Sequence, residues 1–160
     1  MKRLISVIVV MIVIMISSLF LLAQDSASAS KKKHSFGLGF GIPYGGLGAN
    51  IDFNVVKNLY FTGGFGYIGT AGYNFGVKYF LAPIKNNFRP TISVYYGINT
   101  LEDSRWKGLK SYHGVSLGIG AQWMWRNNGL NFDLVIIAYS KRKVGIENRV
   151  KISIGYRRAF

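Results

Sequence analysis

From Ser35 to Phe160 the apolar residues recur at every second position, and no stretch keeps a 3.6-residue period. A period of two is that of a strand with one apolar face. It runs through eight stretches, 35–42, 47–55, 59–67, 73–81, 91–99, 114–125, 130–139 and 150–160. In the second, Leu47, Ala49, Ile51, Phe53 and Val55 alternate with Gly48, Asn50, Asp52 and Asn54. On the apolar side only Gly63 and Arg158 break the rule. Turn signals separate most stretches: Pro43-Tyr44-Gly45-Gly46, Lys57-Asn58, Gly69 to Gly72, Pro83 to Asn87 and Arg126 to Gly129. Two connections, 100–111 and 140–148, are longer and charged, and both are expected to be loops. Eight strands on short connections predict an all-β, eight-stranded antiparallel up-and-down barrel.

The direction of the apolar face decides the class of function. The second face holds twelve of the 20 glycines: 37, 39, 41, 48, 64, 66, 76, 97, 114, 118, 120 and 155. Glycine weakens a strand but relieves crowding inside a narrow eight-stranded barrel. The apolar face carries more Phe, Tyr and Trp than such an interior holds. Both features turn the apolar face outward, which makes a transmembrane barrel. With residues 35 and 160 at one end, that end carries Phe36, Phe53, Phe61, Tyr79, Trp123, Trp125 and Phe160. The other end carries Tyr67, Tyr73 and Tyr112, with Tyr44 in a turn. Two aromatic girdles around an aliphatic band are the expected result. The opposite orientation, apolar face inward, is the alternative: a soluble periplasmic lipocalin-like binder of an apolar ligand.

The first 29 residues read differently. Met1-Lys2-Arg3 is basic, Leu4 to Ala23 is almost wholly apolar, and Ala27-Ser28-Ala29 has the small-x-small form of a cleavage site. This is the layout of a secretory signal peptide over 1–29, leaving 30–160 as the barrel domain. An uncleaved membrane anchor is the competing reading. An exported chain with no Cys has no disulfides to stabilise it, so closure into a barrel fits. Charged residues are 16% of the chain, against about 25% in globular proteins.

The pattern resembles the small bacterial outer-membrane barrels of the OmpA/OmpX type. Its sharpest local element is Val150 to Phe160, an alternating last strand ending on Tyr156 and Phe160. It is similar to the family's assembly signal, which the barrel-assembly machinery reads during insertion. Arg158 departs from that signal, where an apolar residue is usual. The resemblance implies the bacterial outer membrane, outer-membrane lipid and lipopolysaccharide as surroundings, a monomer, and a structural or surface-interaction role.

Chemistry is sparse. Gly64-Phe-Gly-Tyr-Ile-Gly69 matches a dinucleotide fingerprint as text, but a strand follows where the phosphates need a helix N-terminus. With only His34 and His113 and no Cys, no metal site is expected. An outer-membrane lipid-modifying enzyme needs a His beside a nucleophile, and His113 has no facing serine. No catalytic residue and no cofactor are therefore expected. On the polar face Asp52 is expected to pair with Lys78, and Asp133 with Arg157, because buried charges need partners. Lys151 is also read as inward, with Arg149 near the rim. The net charge is +14, and six of the 20 basic residues fall in the two long connections. Arg105, Lys107 and Lys110 fall in one, beside Trp106, and Lys141, Arg142 and Lys143 in the other. They are expected to contact lipopolysaccharide phosphates or another anionic surface. Nucleic acid is not an expected partner of a membrane-embedded chain.

Overall fold

The computed structural model describes residues 34–83, 86–104, 108–141 and 149–160. The signal peptide expected over 1–29 lies outside these residues, as do Arg105, Trp106, Lys107, Arg142 and Lys143. Eight strands form: β1 Ser35–Gly41, β2 Gly46–Val56, β3 Leu59–Tyr67, β4 Ala71–Phe80, β5 Phe88–Ser104, β6 Gly108–Trp125, β7 Asn128–Ser140 and β8 Val150–Ala159. They close into one antiparallel barrel in sequence order. β1 seals against β8 with Gly37 opposite Arg157 and Gly39 opposite Gly155.

The alternation read from the sequence sets the two faces. Leu38, Phe65, Ile92, Ile119, Leu134 and Ile152 are among the exposed outward side chains, while Asp52, Lys78, Asp133 and Arg157 are buried. The molecule therefore inverts the usual distribution of polarity. The end holding residues 34 and 160 displays Phe36, Phe53, Phe61, Tyr79, Trp123, Trp125 and Phe160 outside, and the far end displays Tyr67 and Tyr73. Phe75, outward on β4, lies opposite Gly63, the residue that interrupted the apolar face.

The structure corrects the sequence reading of the strands and turns in three places. The connection 100–111 is not a loop over most of its length. β5 and β6 continue as one hairpin whose ladder reaches Ser104 opposite Gly108. β5 leaves β4 at Gly97, and β6 leaves β7 at Gly114. Beyond those points the hairpin has no further ladder partner among the described residues, and a two-stranded ribbon need not alternate. Secondly, strict alternation over 130–139 would put Tyr139 on the lumen face with Asp133, but Tyr139 points outward. Tyr139 faces Val115 and Ile137 faces Ser116, so Ala138 is an extra residue that reverses the faces beyond it.

The third correction is the largest. Tyr44 does not join the outer girdle; it is fully buried. The β1–β2 connection forms a 3-10 turn, Ile42–Tyr44, that folds into the lumen. Gly45 and Gly46 bring the chain back at φ values of 66° and 110°, a region open to glycine and strained for other residues. The lumen glycines make the room. A Cβ on Gly48 or Gly66 would lie 2.5 Å from the Tyr44 carbonyl oxygen, and one on Gly39 would lie 2.7 Å from the Tyr44 ring. One on Gly155 would collide with the Tyr44 hydroxyl, and one on Gly64 with the Pro43 carbonyl. The glycine-rich face is thus a socket for a plug made by the chain itself.

Candidate functional site in the barrel lumen

The plug is held by lumen side chains that complete its backbone. Asn50 Nδ2 donates to the Pro43 carbonyl at 2.8 Å and Asn74 Nδ2 donates to the Ile42 carbonyl. The Tyr44 hydroxyl donates to Asn131 Oδ1. The Ile42 carbonyl also accepts from Gly45 N–H and Asn131 Oδ1 from Arg157 Nε, whereas the buried Pro43 carbonyl left without Asn50 would cost about 1–3 kcal/mol.

Beneath the plug lies a charge network centred on Asp52. Its Oδ2 meets Lys78 Nζ at 3.4 Å and also accepts from Arg157 Nη1. All three side chains are essentially inaccessible. The register explains the reach of Arg157. Gly37 of β1 sits between Arg157 of β8 and Asn50 of β2. With no side chain on Gly37, the guanidinium crosses β1 and donates to Asn50 Oδ1 and to Ser35 Oγ, the latter at 3.1 Å. Arg157 Nε donates to Asn131 Oδ1 at 3.3 Å.

The expected Asp133–Arg157 pair does not form. In the last hairpin Arg157 faces Gly129 and Asp133 faces Ser153, which places the two charges four residues apart along the strands. Asp133 instead accepts from Asn131 Nδ2 at 2.8 Å and from Thr91 Oγ1 at 3.4 Å. Asn131 therefore links Asp133, Arg157 and the plug, a role sequence reasoning missed. Its inward position was legible, but its partners depend on the register of β7 with β8 and on the folded-in turn. Lys151 lies opposite buried Val135, on the lumen face, yet is exposed at the far rim.

Arg89 was also missed. Pro90 disguises the start of β5, so the alternation appeared to begin at 91. In the structure Arg89 faces Gln122 on β6, and both are buried. Its guanidinium carbon lies 3.7 Å from the Phe80 ring centroid and 5.6 Å from that of Tyr60. Phe80 and Tyr60 pack edge to face at 4.8 Å. This cluster closes the lumen towards residues 34 and 160.

At the far rim Lys110, Lys141 and Arg149 are exposed. His113 lies on the outer surface beside Tyr73, whose hydroxyl is 3.3 Å from Nδ1. His34 lies at the opposite end against Phe53 and Phe160, with ring centroids 5.6 and 6.0 Å away. Tyr156 is half-exposed, and its hydroxyl donates to Asn128 Oδ1 at 2.6 Å. Phe160 N–H donates to the His34 carbonyl at 2.9 Å, and its carbonyl accepts from His34 N–H at 3.0 Å. No group of three or more metal-ligating side chains occurs among the described residues. Comparisons with protein-family models, curated proteins and solved structures find no match to this chain.

Proposed function

We propose that this chain is a small integral outer-membrane barrel of the OmpA/OmpX type, exported by the 1–29 segment and serving a structural or surface-interaction role. One observation carries the reading: the charged and amide side chains are buried in the lumen while a band of Leu, Ile, Val and Phe is exposed around the outside. In water that surface would drive aggregation. In a bilayer it is the required surface, and the closed ladder leaves no strand edge facing hydrocarbon. β2, β3 and β4 have 11, 9 and 10 residues, the length that crosses at a tilt. The buried Asp52, Lys78 and Arg157 and the seated Tyr44 argue against a lumen made for an apolar ligand. Exposed Lys110, Lys141, Arg149 and Lys151 on the far rim suit the phosphates of lipopolysaccharide.

Fractionation with a heat-modifiability gel tests the location. The expected result is a heat-shifted band in the outer-membrane fraction; recovery in the soluble periplasm without detergent overturns the reading. Ile119→Arg supplies a sharper test, since Ile119 is exposed in the middle of the band. In lipid vesicles the substitution should cost about 2–4 kcal/mol. A soluble barrel would tolerate it, as a charge on a wetted surface changes stability little.

Assembly offers a separate prediction. Phe160 is largely exposed, so little buried area is lost with it beyond its contacts with His34. Its deletion should still delay insertion and leave precursor in the periplasm, because the insertion machinery reads the terminal aromatic. Pulse-chase surface labelling measures this, and unchanged surface arrival would remove Phe160 from the signal.

A further inference from the structure

The lumen charges balance in its central layers, where Asp52 and Asp133 accompany Lys78 and Arg157. Arg89 has no such partner: no acidic side chain pairs with it among the described residues. Its Nε donates to the Ala82 carbonyl at 3.4 Å. Its Nη2 is buried without a hydrogen-bond partner. So is the hydroxyl of Tyr60, which is 2% exposed. A buried guanidinium N–H left unmade is costly, and a native fold retains one where something completes it.

Arg89 and Tyr60 both help to line a small open pocket at the mouth nearest residues 34 and 160. Ser35, Gln122 and Arg126 line it too, and no carboxylate does. Phe80 supports the guanidinium from its face and leaves the N–H edge as the bonding surface. Two arginines, a phenol and an amide around a pocket of this size make a donor set for a compact oxyanion.

We propose that this mouth is a binding site for a phosphate group, with Arg89 and Tyr60 as its buried donors and Arg126 as its outer cation. The phosphate belongs either to a free inorganic ion or to a phospholipid headgroup bending in from the adjacent leaflet. The site lies in the barrel mouth and not on the outer rim, so it stands whether or not lipopolysaccharide contacts the far loops.

The test uses the full barrel folded in a maltoside detergent, which contains no phosphate. Inorganic phosphate is titrated in one arm and dihexanoyl phosphatidylglycerol in the other, at fixed ionic strength, with 31P NMR as readout. Saturable binding of one phosphate per barrel is expected. Arg89→Gln should weaken it about tenfold or more, and Tyr60→Phe by about threefold or more, as loss of a charge-assisted and a neutral hydrogen bond respectively. Arg158→Gln, on the outer face, should leave it unchanged. Saturation in the first arm identifies the free ion, and saturation in the second alone identifies the headgroup. Absence of saturable binding in both arms overturns the proposal. Equal affinity in wild type, Tyr60→Phe and Arg126→Gln overturns it too, and this holds even if Arg89→Gln does not fold.

Discussion

Asp52→Ala should destabilise the barrel by about 3–5 kcal/mol, more than any other single change to a lumen charge. Asp52 neutralises two buried cations at once, Lys78 and Arg157. Removing it leaves both in a closed interior. Arg157 keeps Asn50, Asn131 and Ser35 as acceptors, so part of its cost is relieved. Lys78 is left with less, since among the described residues its hydrogen bond is to Asp52 alone. Lys78→Met should therefore be far milder, because Asp52 retains Arg157 and one desolvated charge has gone. The double substitution Asp52→Ala with Lys78→Met should be more stable than Asp52→Ala alone. Urea unfolding in lipid vesicles, followed by tryptophan fluorescence, measures all three. Losses that simply add would mean that the two residues do not interact. The same cycle on Asp133 and Arg157 should show only weak coupling, since Asn131 stands between them.

Architecture was legible in this chain because a period of two leaves little freedom once one face is apolar. A slip of one residue would turn Phe61 or Leu134 into the lumen and Asp133 out, so facing is strongly specified. Legibility failed where alternation loses its physical cause. Beyond Gly97 and Gly114 the β5–β6 ribbon has no flanking strands among the described residues, and its charged residues read as loop. At Ala138 one extra residue reverses the faces without a Gly or Pro to announce it. The site was harder to read than the barrel. The sequence placed Asp52, Lys78, Asp133 and Arg157 on one face, but partner choice depends on register, and register is a property of strand pairs. Arg157 reaches β2 because Gly37 lies in the same row between them, a fact that no single strand contains. The surplus of inward glycines was visible from the start. Its full cause, a turn folded among them, was not, since Pro43-Tyr44-Gly45-Gly46 reads equally well as an ordinary exterior turn.

That folded-in turn sets the second large effect. Tyr44→Ala should cost about 3–5 kcal/mol, the usual loss for a large buried aromatic whose site cannot collapse. Collapse is resisted here because the surrounding wall is a hydrogen-bonded barrel. Tyr44→Phe keeps the ring and loses only the bond to Asn131, so about 1 kcal/mol is expected. Gly155→Val attacks the same contact from the wall, because its Cβ would collide with the Tyr44 hydroxyl. Overpacking of this kind costs about 1–3 kcal/mol. Combined with Tyr44→Ala, however, the valine fills space that the ring has vacated. The double variant should therefore lose less than the two single losses together, by about 1 kcal/mol or more. The same vesicle unfolding assay decides it. Additive losses would place Tyr44 away from Gly155, with the turn outside the lumen. A compensated double variant would show that Gly155 of β8 and the tyrosine of the β1–β2 turn form one packing unit, joined across the seam where the barrel closes.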